Sequence, residues 1–147
     1  MKKAFTMIEL IFVIVILGIL AAVAVPKLTA TRDDATVSSI GMAIGQSISE
    51  LAEYAVSNGK SIDDLTLMSN SLDSMVRQGS AYKVSGKEVI VKIKKEDCIN
   101  IKISENGGND DLNVSFINST KPVCLSLQKV VSSKTYSISL RGLTIVY

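Results

Sequence analysis

Glu9 is the one charged residue in the 21 residues from Phe5 to Val25. A carboxylate early in an apolar segment costs roughly 2.5 to 3.5 kcal/mol or more to insert into lipid, so an ionisable residue there asks for a function. The other residues whose type could do chemistry are Cys98 and Cys124. Two thiols are too few for a four-thiolate zinc site. They can form one disulfide or remain two buried free thiols. The chain has no His, which excludes Ser-His-Asp and Cys-His nucleophiles, His-ligated metals and imidazole acid/base chemistry. Asn106, Asn109, Asp110, Asp111 and Asn113 are rich in oxygen ligands but lack the spacing of a 12-residue calcium loop, and they read as a turn. With no nucleophile-base set, phosphate loop or metal site, the expectation is a protein that is not an enzyme and has no cofactor.

The elements that hold these residues follow from where the apolar side chains lie. Residues 1 to 26 include 20 of the hydrophobic set, whereas the rest of the chain has the apolar content of a soluble domain. As a helix, Phe5 to Val25 spans roughly 31 Å, the thickness of a bilayer's hydrocarbon core. Lys2 and Lys3 precede it, and the positive-inside bias keeps them in the cytoplasm and sends everything after Pro26 across the membrane. These two lysines supply the whole net charge of +2, which is too small to argue for nucleic acid. Two ordinary readings compete: a cleavable secretory signal with Ala22-Val23-Ala24 at its end, and an uncleaved anchor. Glu9 serves neither.

Lys2-Lys3-Ala4-Phe5-Thr6-Met7-Ile8-Glu9-Leu10, followed by an apolar helix with Gly18 and Pro26, resembles the N-terminus of type IV pilins and of type II secretion pseudopilins. The likeness covers about the first 30 residues. It implies cleavage by a prepilin peptidase between Ala4 and Phe5 and methylation of the new amine of Phe5. Most of that family has Gly before the cut; this chain has Ala4, which is also small. Glu9 would lie one helical turn, roughly 6 Å, from the amine of Phe5. It could pair with its own amine or with a neighbour's; the family implies the second, which sets the register of the growing filament. Gly18 lowers helix propensity and Pro26 removes a helical hydrogen bond, so the stretch between them is the expected place to bend or unwind. A kink at Pro26 alone is the plainer alternative.

Beyond Pro26 the pattern becomes one-faced. Val37, Ile40, Ile44, Ile48, Leu51 and Ala55 recur at three and four, with Ala52 and Val56 beside them and Ser38, Gln46, Ser49, Glu50 and Glu53 opposite. Asn58-Gly59 is the stop. Gly41 and Gly45 have the four-residue spacing of a helix-pairing motif, but outside the membrane they are expected instead to let the sheet approach closely. Ser61 to Asp64 resembles a capping box, before one or two short helices over Leu65, Met68, Leu72, Met75 and Val76 that end near Gly79. Strands are read around Val89, Val91 and Ile93, around Ile99, Ile101 and Ile103, and around Val114 and Phe116, with 106–110 as a turn. Pro122 to Val131 reads as a short helix and Tyr136 to Tyr147 as strand, with Arg141-Gly142 its turn signal. Lys92, Lys94 and Lys102, without interleaved aromatics, read as a solvated strand face. For Cys98 and Cys124, export makes one disulfide the simplest state, closing about 27 residues and stabilising by roughly 3 to 4 kcal/mol. Pilins often carry such a staple near the C-terminus.

The reading is therefore an α+β chain: a long N-terminal helix, half membrane and half amphipathic, packed on a small antiparallel sheet as in pilins. Its parts are a leader at 1–4, a transmembrane and polymerisation helix at 5–26 and an exported domain at 27–147. The function expected is a structural prepilin of a type IV pilus or type II secretion pseudopilus. It sits first in the inner membrane with a cytoplasmic N-terminus, then in a periplasmic or extracellular filament. The resemblance implies as partners the protein itself, other pilins, prepilin peptidase, and the assembly platform with its ATPase; DNA would be a partner only of a DNA-uptake pilus. The alternative is a periplasmic binding or adhesion domain that the N-terminal segment tethers or releases.

Overall fold

The computed structural model describes residues 5–106, 109–131 and 136–140. The chain divides into two compact units, Met1–Ala35 and Thr36–Tyr147. Helix α1, Met7–Asn58, begins in the first and ends in the second. In the first unit Phe5 and the apolar side chains from Met7 to Leu28 are exposed. Among the described residues α1 is the one helix long and apolar enough to cross a membrane, and none of its apolar window is buried within the chain.

The second unit is α+β. After α1 come α2 (Leu65–Met68) and α3 (Asn70–Arg77), strands β1 (Ala81–Ser85), β2 (Glu88–Ile93), β3 (Glu96–Asn106) and β4 (Asn109–Phe116), helix α4 (Pro122–Val131) and strand β5 (Tyr136–Ser139). The strands form one antiparallel sheet in sequence order, β1-β2-β3-β4-β5. Their period-two pattern sends Val89, Val91, Ile101, Ile103, Leu112 and Val114 to one face, where they are buried in one core with Val37, Ile44, Leu51 and Ala55 of α1. The amphipathic reading of α1 holds, and its stop holds too: Gly59 has a φ of +67°. Val56 alone of the residues read beside the stripe is largely exposed.

Several local readings are corrected. Asp64, not Ser61, caps α2, accepting from the Thr66 amide at 3.0 Å. Ser61 instead donates through its amide and hydroxyl to Asp110, at 3.1 and 2.7 Å, tying the loop after α1 to the start of β4. The expected turn at 106–110 is narrower, because Asn106 and Asn109 already pair as strand residues and Asp110 is buried. Residues 107–108 lie outside the described residues, as do Arg141, Gly142 and the rest of the C-terminal strand reading beyond Leu140. Strand β1 has no counterpart in the sequence reading, since AYKVS is short and its only buried residue is Ala81. Gly41 faces α4 rather than the sheet: a Cβ there would meet Val130 Cγ1 at 2.5 Å. A Cβ at Gly45 would meet nothing within 4 Å.

Candidate functional site

Helix α1 opens with a reciprocal cap. Thr6 precedes its first residue and Glu9 is the third helical residue, the T-x-x-E spacing of a capping box. The Thr6 amide and hydroxyl each donate to Glu9 Oε2 at 2.8 Å, while the Glu9 amide donates to Thr6 Oγ at 3.3 Å. The carboxylate singled out by its cost in lipid thus has a partner within its own turn. Thr6 was not read as that partner, although the spacing was there to find. Ala4 lies outside the described residues, so of the expected cleavage pair only Phe5 is seen, exposed just ahead of the helix.

Gly18 and Pro26 both lie inside α1, which is helical from one to the other. Pro26 has no N–H to offer the preceding turn. Just beyond it the hydroxyls of Thr29 and Thr31 donate one turn back to the carbonyls of Val25 and Lys27, at 3.1 and 3.0 Å; the carbonyl that loses its helical donor to Pro26 is that of Ala22. The surface of this segment is apolar on all sides, from Leu10 and Ile11 to Val23 and Val25. An apolar patch of this extent needs lipid or other helices against it.

In the second unit, Cys98 and Cys124 lie at disulfide distance with Cα atoms 5.1 Å apart. The cause is local. Between β2 and β3 the register shifts, Val91 facing Ile99 while Lys92 faces Asp97, so Cys98 is an extra residue on β3. A bulge of this kind re-aims a side chain. Here both Cys98 and Ile99 turn inward, and both are buried. Pro122 starts α4 as read, and Cys124 in its first turn meets Cys98. Gln128 one turn on donates to the carbonyls of Cys98 and Ile117, at 3.0 and 2.9 Å. Together they hold α4 against β3 three residues from the β2–β3 turn.

The lysines are not one solvated face. Lys94 and Lys95 form the two-residue turn between Ile93 and Glu96, with φ of 51° and 72°. Lys92 lies over the ring of Tyr82, 5.5 Å from its centre, so an aromatic does accompany it. The Tyr82 hydroxyl donates to Asp97 at 2.8 Å, and that bond, with burial behind it, holds the phenol above its ordinary pKa. Lys102 faces Glu88 at 3.6 Å. Among the described residues no group of His, Cys, Asp and Glu is arranged to hold a metal.

Glu50, read as part of the polar face of α1, has a further task. Its carboxylate accepts from Ser69 Oγ at 2.6 Å, from the Ser71 backbone amide at 3.0 Å and Ser71 Oγ at 2.8 Å, and from the Gln46 side-chain Nε2 at 3.0 Å. It thereby caps the start of α3 from another helix. Burial pushes its carboxyl up, but the bonds from Ser69, Ser71 and Gln46 together hold it below its ordinary pKa. It stands in an open polar groove of about 480 Å³ with Ser39, Asn70, Ser74 and Gln78. No sequence signal pointed to it, because its partners are 19 and 21 residues away.

Residues 1–25 match the prokaryotic N-terminal methylation motif, the signature of type IV pilins and pseudopilins. No curated protein and no solved structure matches the chain.

Proposed function

We propose that the protein is a prepilin: a structural subunit held in the inner membrane by α1, cut between Ala4 and Phe5, methylated on the new amine, and polymerised into a type IV pilus or pseudopilus. One observation carries this reading. A methylation motif over residues 1–25 opens a helix whose apolar window is nowhere buried by the described residues. Lipid covers that surface before assembly, and the same helices of neighbouring subunits cover it afterwards. The self-association, the peptidase and an assembly platform with its ATPase follow as partners, and the domain beyond the helix is exported.

Glu9 links processing to assembly. In the uncut chain its carboxylate is satisfied by Thr6. Hydrolysis of the Ala4–Phe5 bond creates an ammonium at Phe5, a stronger donor than the neutral Thr6 groups. In low dielectric the ammonium of one subunit and the Glu9 of the next attract strongly, and a subunit one turn out of register leaves both charges unpaired. The stretch from Gly18 to Pro26 supplies the bend or local unwinding that packing such helices side by side demands. Neither step needs catalysis by this chain.

Mass spectrometry of the mature N-terminus tests the reading. It expects a chain beginning at N-methylated Phe5. A mature start at Val25 replaces it with a secretory signal, and an intact Met1 points to a plain anchor or to failed processing at Ala4.

A further inference from the structure

The two ends of β3 carry opposite charge. At one end the β2–β3 turn presents Lys94 and Lys95, both exposed, and α4, stapled to the same end, adds exposed Lys121 and Lys129. The acidic residues at this end, Glu96 and Asp97, are half-buried, and Asp97 takes the hydroxyl of Tyr82. At the other end stand Asp63, Glu105 and Asp111. Lys87 is shared there between Asp63 at 3.1 Å and Glu105 at 3.4 Å, so one cation serves two carboxylates. The Asp63 side chain is 93% exposed and that of Glu105 69%. Lys60, in the loop that Ser61 ties to Asp110, offsets only part of this charge.

The basic end is also stiff. A two-residue hairpin turn with both φ values positive favours Asn-Gly, and β-carbons make that conformation unfavourable for two lysines in succession. Residues held in sparsely populated backbone conformations are places to look for function. The disulfide and Gln128 brace the hairpin three residues behind the turn. A positive turn on a braced backbone is therefore presented, with little main-chain ordering left to do on contact.

Resting on the proposed filament role, we propose that the hairpin turn of one copy, Lys94 and Lys95, docks on the Asp63 and Glu105 end of the next. The two ends of one molecule cannot meet, because the 11 residues of β3 hold them roughly 36 Å apart. Complementary patches at opposite ends make a head-to-tail interface, which grows into an open helical array when the rotation does not close. At physiological ionic strength charges attract over only about 8 Å, so this contact forms between subunits already brought side by side by their N-terminal helices.

The test compares full-length wild type with Lys94→Asn/Lys95→Gly, a change that removes the charge while suiting the turn. The variant is expected to melt at or above the wild-type temperature yet yield roughly tenfold fewer filaments. Charge exchange, Lys94→Glu/Lys95→Glu with Asp63→Lys/Glu105→Lys, is expected to restore them. In wild-type filaments carbodiimide should join the peptide holding Lys94 and Lys95 to that holding Asp63 or Glu105. Wild-type filaments with no such link, from a protein whose Asn-Gly variant assembles equally well, would overturn the interface and leave the filament reading standing. A wild-type protein that is processed but never forms filaments overturns both.

Discussion

The Thr6 amide and hydroxyl both donate to Glu9 Oε2 at 2.8 Å, so the one carboxylate in the membrane-length segment begins its life paired within its own helical turn. Two substitutions separate the local role from the intermolecular one. Glu9→Val is expected to insert into the membrane and fail to assemble. Thr6→Ala loses the cap, worth about 1 kcal/mol, but keeps the carboxylate for a neighbour's amine, and filaments are expected. Membrane fractionation with filament counts decides; normal filaments from Glu9→Val would end the registration role.

Glu50 makes stability depend on acid. Its carboxyl is held below the ordinary value in the folded protein. The stabilisation it confers is therefore complete above the pKa of the unfolded chain and is lost as pH falls through the lower folded value. Glu50→Gln is expected to cost about 1 kcal/mol at neutral pH, because the groove is open to solvent, which screens the charge, and the carboxamide keeps one acceptor oxygen. It should also flatten the acid limb of a melting-temperature profile as pH falls below the ordinary carboxylate range. An unchanged acid limb in the variant would assign the acid sensitivity elsewhere.

Reduction should be costly. Cys98 and Cys124 are 26 residues apart in sequence, and opening that loop is expected to destabilise by about 3 to 4 kcal/mol. Urea unfolding of the reduced protein and of Cys98→Ser/Cys124→Ser should show the same loss relative to the oxidised protein. A double variant as stable as the oxidised protein would leave the staple without a structural role.

Three glycines answer differently to alanine. Gly45→Ala meets nothing within 4 Å and should gain up to about 1 kcal/mol of helix propensity. Gly41→Ala drives a Cβ into Val130 and should be less stable than Gly45→Ala by at least about 1 kcal/mol, a gap that adding Val130→Ala narrows. Gly86→Ala sets a Cβ against the backbone carbonyl of Asp63, beside the bond from the Leu65 amide to the Gly86 carbonyl at 2.9 Å. Neither backbone can turn aside as a side chain can, so this should be the largest loss of the three, roughly 1 to 3 kcal/mol by denaturant titration.

Much of this architecture was legible as pattern. The continuous apolar run, the three-and-four stripe from Val37 to Ala55, the Asn58-Gly59 stop and the Pro122 start all depend on neighbours within a few residues, and all are where the pattern places them. What went unread depends on distant partners. Strand β1 has too few buried residues to announce itself and exists because β2 offers it a paired edge. Ser61 has a capping hydroxyl, but Asp110, 49 residues on, claims it. Gly41 makes room for α4, whose position depends on a disulfide that no spacing dictates.

The sequence by itself determined the N-terminal segment: its length, its apolar character, Glu9 and the T-x-x-E cap all lie within one stretch of chain, where periodicity and local hydrogen bonding decide the outcome. Only the tertiary structure decided that a bulge aims Cys98 at Cys124, that Glu50 caps a helix it does not belong to, and that Lys94 and Lys95 stand at the opposite end of β3 from Glu105 with Asp63 beside it. Those relationships come from strand register and from packing between elements far apart in sequence, and no local preference of the residues involved can encode them.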